Sequence, residues 1–153
     1  MKILAKFLLP LLLIGVISPV YAATIKWSMP GDSLTLDPHA QNEGPTHMVS
    51  RQVYESLVTR VVDMSIEAQL ATSWKATDPE TWVFKIRDGV VFSDGSPLKA
   101  SDVVFSINRA LTGASDMIEL IDSITSVKAT FNNQVEIKTE GPNPILLNQL
   151  SQI

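Results

Sequence analysis

His39, Glu43 and His47 stand four residues apart, a spacing that on an α-helix would gather two imidazoles and a carboxylate on one face as metal donors. Pro38, Gly44 and Pro45 interrupt any such helix, so the residues are not expected to meet and no metal site is expected. Asp32, Asp37 and Asp63 could supply paired carboxylates for hydrolysis. Each lies beside a turn, where an aspartate accepts hydrogen bonds from neighbouring backbone, and that is the role expected of them. Trp27, Trp74 and Trp82 could stack on a sugar or a peptide ring, yet each belongs to an element with buried periodicity and is expected in the core. The chain has no cysteine, which removes disulfides, thiolate catalysis and thiolate metal centres. Gly-x-Ser-x-Gly, Gly-x-x-x-x-Gly-Lys and His-Glu-x-x-His are absent as well, so neither a catalytic residue nor a cofactor is expected.

The elements that would position these residues can be read along the chain. Thr24 to Met29 alternates Ile25, Trp27 and Met29 with polar residues, the period of a strand with one buried face. Ser33 to Pro45 is polar and carries Asp37-Pro38 and Gly44-Pro45, which makes it a long loop. From Thr46 the spacing of Val49, Val53 and Leu57 predicts an amphipathic helix, followed by a strand over Leu57 to Val62 and a short element over Ala68 to Trp74. Trp82, Phe84 and Ile86 alternate with Val83, Lys85 and Arg87 in the clearest strand pattern of the chain. Turns follow at Asp88-Gly89 and Asp94-Gly95. A helix is predicted over Ala100 to Leu111, with Val103, Val104, Ile107 and Leu111 as its apolar stripe. Ile124 to Thr130 and Gln134 to Thr139 form a hairpin around Asn132-Asn133, and Ile145 to Ile153 is apolar again. No repeat or low-complexity tract is visible. The irregular alternation implies an α/β protein, a mixed sheet with helices against it.

Compartment is read from the first 22 residues. Lys2 and Lys6 precede an apolar run from Phe7 to Ile17, and Val20-Tyr21-Ala22 follows Ser18-Pro19. This is the pattern of a secretory signal peptide with cleavage expected after Ala22, leaving residues 23–153 as the mature part. As a helix the run would reach about 17 Å against a hydrocarbon core of roughly 30 Å, too short for an anchor. Losing Lys2 and Lys6 takes the net charge from −4 to −6, a surface that does not seek nucleic acid or anionic lipid.

Three stretches carry a resemblance: "VFSDGSPLKASDVVFSINRA", the upstream "LATSWKATDPETWVFKIRDGV" and the amino-terminal "SLTLDPH". In this order they resemble the family 5 solute-binding proteins of ABC importers, the periplasmic dipeptide and oligopeptide binders. The resemblance runs from about Ile25 to the end of the chain. It implies a periplasmic-binding-protein-like (type II) fold, of which this chain holds the amino-terminal lobe, with the second lobe and the return strands missing. It also implies that the block over Leu70 to Ala110 is architecture, and that ligand is gripped by closure of two lobes rather than by covalent chemistry. The partners implied are a peptide or related small solute and an inner-membrane ABC permease, with the binder acting as a periplasmic monomer and not as an enzyme.

By position in the family, Asn42-Glu43-Gly44 matches the segment whose backbone pairs with an extended peptide, and these three are the candidate ligand-binding residues. A plain polar turn ahead of a helix is the competing reading, and both stay open. The chain departs from the family in three local respects: Ala68 stands where a proline is frequent, the link from Val61 to Glu67 is shorter than usual, and Lys99 stands where a threonine is common. Lys99 cannot accept a backbone N–H bond, so the helix start is expected to fray at a cost of about 1 kcal/mol. The apolar turn at the chain's end has neither a capping glycine nor a polar tail, which reads as a cut through an element. The alternative to a peptide binder is therefore a truncated remnant or fragment with no binding of its own.

Overall fold

The computed structural model describes residues 24–153; the expected signal peptide lies outside the described residues. In chain order the elements are α1 (Gly44–Val53), β1 (Val58–Arg60), β2 (Ile66–Ala68), β3 (Ala71–Asp78), β4 (Thr81–Ile86), α2 (Ala100–Ala110), α3 (Ile118–Ile121), β5 (Ile124–Thr130), β6 (Gln134–Thr139) and α4 (Leu146–Leu150). Strands β1 and β2 pair as a small ribbon, and the other four form a sheet in the order β3-β4-β6-β5. The expected mixed sheet is antiparallel at every pairing among the described residues, because β3 to β4 and β5 to β6 are tight hairpins and such short connections join only antiparallel strands.

One face of the sheet is buried, as the alternation requires. Phe84 and Ile86 on β4 and Val135 and Ile137 on β6 are fully enclosed, with Phe84 opposite Val135 and Trp82 opposite Ile137. Lys85, Glu136 and Lys138 take the other face. Helix α2 lies against β5 and β6 and contributes Ala100, Val103, Ile107 and Ala110 to the same core, which also holds Leu146 and Leu150 from α4. Each fully buried aliphatic or aromatic side chain here is worth roughly 1.5–3 kcal/mol of transfer free energy. Strand β3 departs from strict alternation. Ala71 and Trp74 both reach the core although three residues apart, and an irregularity in pairing between Ala71 and Ser73 supplies the extra residue.

The turns match their residue types. Gly89 and Gly95 have φ of +76° and +85°, which a side chain would strain, and both follow an aspartate. Asp94 Oδ1 accepts from Ser96 N–H at 2.9 Å and from Ser96 Oγ at 2.7 Å, while Val91 and Pro97 close the turn as an isolated bridge. Asn132 and Asn133 sit at φ 59° and 54°, the left-handed pair that the hairpin needs.

Four expectations are corrected. The strand predicted over Thr24 to Met29 is irregular: it has no strand beside it among the described residues, and alternation specifies a face without providing a partner. Ile25 is 85% exposed and Trp27 64% exposed, so Trp27 is not a core residue. Trp74 and Trp82 do pack against the core, and Trp82 stacks on Phe84 with ring centroids 6.5 Å apart. The first helix begins two residues earlier than Thr46 and ends at Val53; Tyr54 is extended, and of the predicted stripe Leu57 is buried beyond the helix while Val53 is exposed. Finally, α2 does not start frayed. Asp102 Oδ2 accepts from Lys99 N–H at 2.8 Å, and Asn133 Oδ1, from the distant hairpin, accepts from Ala100 N–H at 3.0 Å. The missing threonine cap is replaced across the fold.

Candidate functional site

The candidate loop stands where the irregular amino-terminal segment enters α1. Glu43 is the N-cap of that helix, and its Oε1 accepts from Thr46 N–H at 2.9 Å. Pro45 in the first turn needs no N–H partner, which suits a helix start. Thr46 is buried, and its Oγ1 accepts from Leu34 N–H at 3.1 Å, so the helix start holds the segment before it. Asn42 and Gly44 are exposed, and a Cβ placed on Gly44 would meet nothing within 4 Å. The loop thus presents open backbone on a capped, anchored support. Among these three residues the only side chain committed to another contact besides Glu43 is Asn42, whose Oδ1 accepts from His47 Nε2 at 3.1 Å.

His39, Glu43 and His47 do not converge. His39 lies in a turn before the helix, Glu43 caps the helix, and His47 lies on its first turns. Among the described residues no three His, Cys, Asp or Glu side chains gather in a position to hold a metal ion. Burial lowers the His47 pKa first, with Arg51 adding to the effect.

The three aspartates bond to nearby backbone. Asp32 Oδ1 accepts from Ser33 N–H at 2.8 Å, Asp37 Oδ1 from His39 N–H at 3.0 Å and Asp63 Oδ1 from Ser65 N–H at 3.0 Å. Asp37 has a second role that spacing could not reveal. Arg109, at the end of α2, donates both guanidinium nitrogens to its two oxygens, one bond being 2.8 Å. That pairing holds the Asp37 carboxyl down to about 2. Arg109 Nη1 also lies 3.0 Å from His39 Nδ1. A guanidinium only donates, so Nδ1 is the acceptor and the imidazole is neutral, with its proton on Nε2. His39 is 3% exposed, and its carbonyl accepts from Ser115 Oγ at 3.1 Å and Asp116 N–H at 3.0 Å. The "SLTLDPH" and "FSINRA" stretches are therefore one contact, with partners 70 and 72 residues apart.

A largely apolar cavity of about 500 Å³ opens beside this contact, walled by His39, Tyr54, Leu57, Phe92, Val103 and Ile107 among others. Tyr54 OH donates to the Leu36 carbonyl at 2.9 Å, so the same wall grips the amino-terminal segment. The Asn42–Gly44 loop is not part of the lining. Trp27, Met29, Gly31 and Asp32 border a second, shallow depression. Arg109 and Ser115 went unnoticed in the sequence. The only local signal was a lone arginine closing an apolar helix, which usually answers the helix dipole.

The chain resembles known proteins in both sequence and shape. Residues 65–153 match the family described as bacterial extracellular solute-binding proteins, family 5 Middle. The periplasmic oligopeptide-binding protein OppA of Escherichia coli K12 is 28% identical over 129 residues, covering 72% of this chain and 24% of the relative. The nickel-binding periplasmic protein of the same organism is 32% identical over 120 residues, covering 76% and 22%. Among solved structures, MoaA of A. tumefaciens R10 in complex with mannopinic acid overlays with a TM-score of 0.72 at 32% identity, over 80% of this chain and 26% of that one. The unliganded open form of the murein tripeptide binder MppA overlays with a TM-score of 0.76 at 24% identity, over 81% and 28%, a likeness of fold alone. The chain spans about a quarter of the length of these relatives. With the matched region covering more than half of its residues, the chain belongs to the family 5 bacterial extracellular solute-binding proteins, a family of binders rather than enzymes.

Proposed function

We propose that this chain is part of the periplasmic substrate-binding component of an ABC importer, a monomer that delivers a peptide or a related small solute to an inner-membrane permease. In this reading residues 1–22 are a cleaved export signal, and the exposed backbone of Asn42, Glu43 and Gly44 lines the ligand. The observation that carries the reading is the family match over residues 65–153, together with relatives whose names specify oligopeptide, nickel and mannopinic acid as cargo. The anchored, unobstructed loop ahead of α1 supports backbone pairing, which gives affinity without reading side chains. No helix among the described residues is long and apolar enough to cross a membrane.

A second reading, that the 153-residue chain binds nothing by itself, is favoured by the openness of the loop and by the quarter-length match. A ligand touched from one side buries too little surface to offset the entropy lost on association. Thermal melts of this chain, and of the full coding frame that contains it, in the presence of a tripeptide, nickel with histidine, or mannopinic acid distinguish the two readings. A concentration-dependent rise in Tm for the full frame with one class supports the importer component. Stabilisation by none of the three classes defeats that proposal.

A further inference from the structure

We infer that Asp37, His39 and Arg109 form an acid-released latch, in which a proton on His39 detaches the amino-terminal segment from the end of α2. The inference is independent of the ligand reading, since it concerns only how the segment is held.

The geometry dictates the sign. Arg109 Nη1 points an N–H at His39 Nδ1 over 3.0 Å, and the bond exists only while that nitrogen keeps its lone pair. A proton on Nδ1 replaces the bond with two donors facing each other and sets two cations in contact. The neighbouring acceptors already hold other donors or, in Asp116, lie out in solvent, so a new N–H would have to share one of them. Both Asp37 oxygens are taken by Arg109, and one also by the His39 backbone. Glu55 is paired with Arg87 at 2.7 Å, Asp102 with the Lys99 N–H, and the Tyr54 hydroxyl with the Leu36 carbonyl. Asp116 meets His39 through its backbone N–H and is itself exposed. At 3% exposure the ring is shut off from bulk solvent, which leaves a charge on it poorly solvated. It can escape only into the cavity whose wall it forms, and in leaving it pulls on the carbonyl held by Ser115 and Asp116.

The titration agrees in direction. Burial, and then the Arg109 charge, lower the His39 pKa from its ordinary 6.5. A histidine that binds its proton less readily when folded contributes stability above the unfolded value and loses it as pH falls below about 6.5. Asp37, held at about 2, stays charged through that range, so its own contribution is lost only as pH falls from 3.8 toward 2. The latch therefore releases in two separated steps, His39 first.

Hydrogen exchange of the amides over residues 33–42 in the full chain, measured from pH 7.5 to 5.0 and corrected for intrinsic rates, tests this. Wild-type protection should fall below pH 6.5 by up to roughly tenfold per pH unit, the limit for one linked proton. His39→Gln offers a carbonyl acceptor that does not titrate, so its protection should be flat over the same range. A parallel NMR titration of the wild-type His39 ring should show it protonating below pH 6.5, at the acid end of the range over which protection falls, and this readout decides if the variant fails to fold. Equal pH dependence in wild type and His39→Gln, or a ring that titrates with protection unchanged, overturns the latch.

Discussion

Asn133 offers the sharpest test of how this fold is held, because one side chain at a hairpin tip supplies the start of a helix 33 residues away. Its Oδ1 accepts from Ala100 N–H at 3.0 Å and its Nδ2 donates to Asp88 Oδ1 at 3.1 Å, while its backbone occupies φ 54°. Asn133→Gly keeps the left-handed conformation and deletes both bonds, together with a longer one from Nδ2 to the Ile86 carbonyl at 3.5 Å. The cap is worth about 1 kcal/mol and the partly exposed bond to Asp88 about another 1 kcal/mol, so a loss of about 2 kcal/mol is expected. Asn133→Ala adds a Cβ in the left-handed region, raising the loss to about 3 kcal/mol. Asn132→Gly is the control. Asn132 has the same backbone sign at φ 59°, but only its carbonyl is engaged, accepting from Lys85 Nζ at 2.6 Å, so a change within about 0.5 kcal/mol is expected. For a chain of this size about 2 kcal/mol lowers Tm by roughly 8 °C. Urea titrations should show the same loss as a shift in midpoint at constant slope. If Asn133→Gly costs no more than Asn132→Gly, the cross-fold cap contributes nothing and the start of α2 stands on Asp102 alone.

Other consequences follow from the same contacts. Lys99→Thr would add the side-chain acceptor that the half-formed capping box lacks and should stabilise by about 0.5–1 kcal/mol in chemical denaturation, since Asp102 already holds the Lys99 N–H. Phe84→Ala, at a site with no exposure between β3 and β6, should cost about 3–5 kcal/mol and leave the chain marginal or unfolded by circular dichroism. Trp27→Ala, by contrast, should shift stability by less than about 0.5 kcal/mol, because the ring is 64% exposed; a loss of core size would show that this segment is packed.

Much of the architecture was legible because its period is local. Trp82, Phe84 and Ile86 on one face, Val103 and Ile107 on one stripe, and the Asp-Gly and Asn-Asn turns are each determined by residues within a few positions of one another. The failures share a cause. Thr24–Met29 and the stripe of α1 have the right periodicity, but whether an apolar face is buried depends on what lies opposite, and nothing in either stretch encodes that. The Asn42–Gly44 loop was placed by resemblance; its anchoring by Glu43 and Thr46 emerges only from the folded backbone.

By itself the sequence determined the family, the strands and helices of the core, and the turn chemistry that joins them, since propensity and alternation act over neighbouring residues. Tertiary structure alone decided that Asn133 would cap α2, that Arg109 would clasp Asp37 and His39, and that Trp27 would face solvent. Each of those outcomes depends on bringing together groups tens of residues apart, or on failing to. Loop closure and packing set such distances, and no local pattern of residues records them.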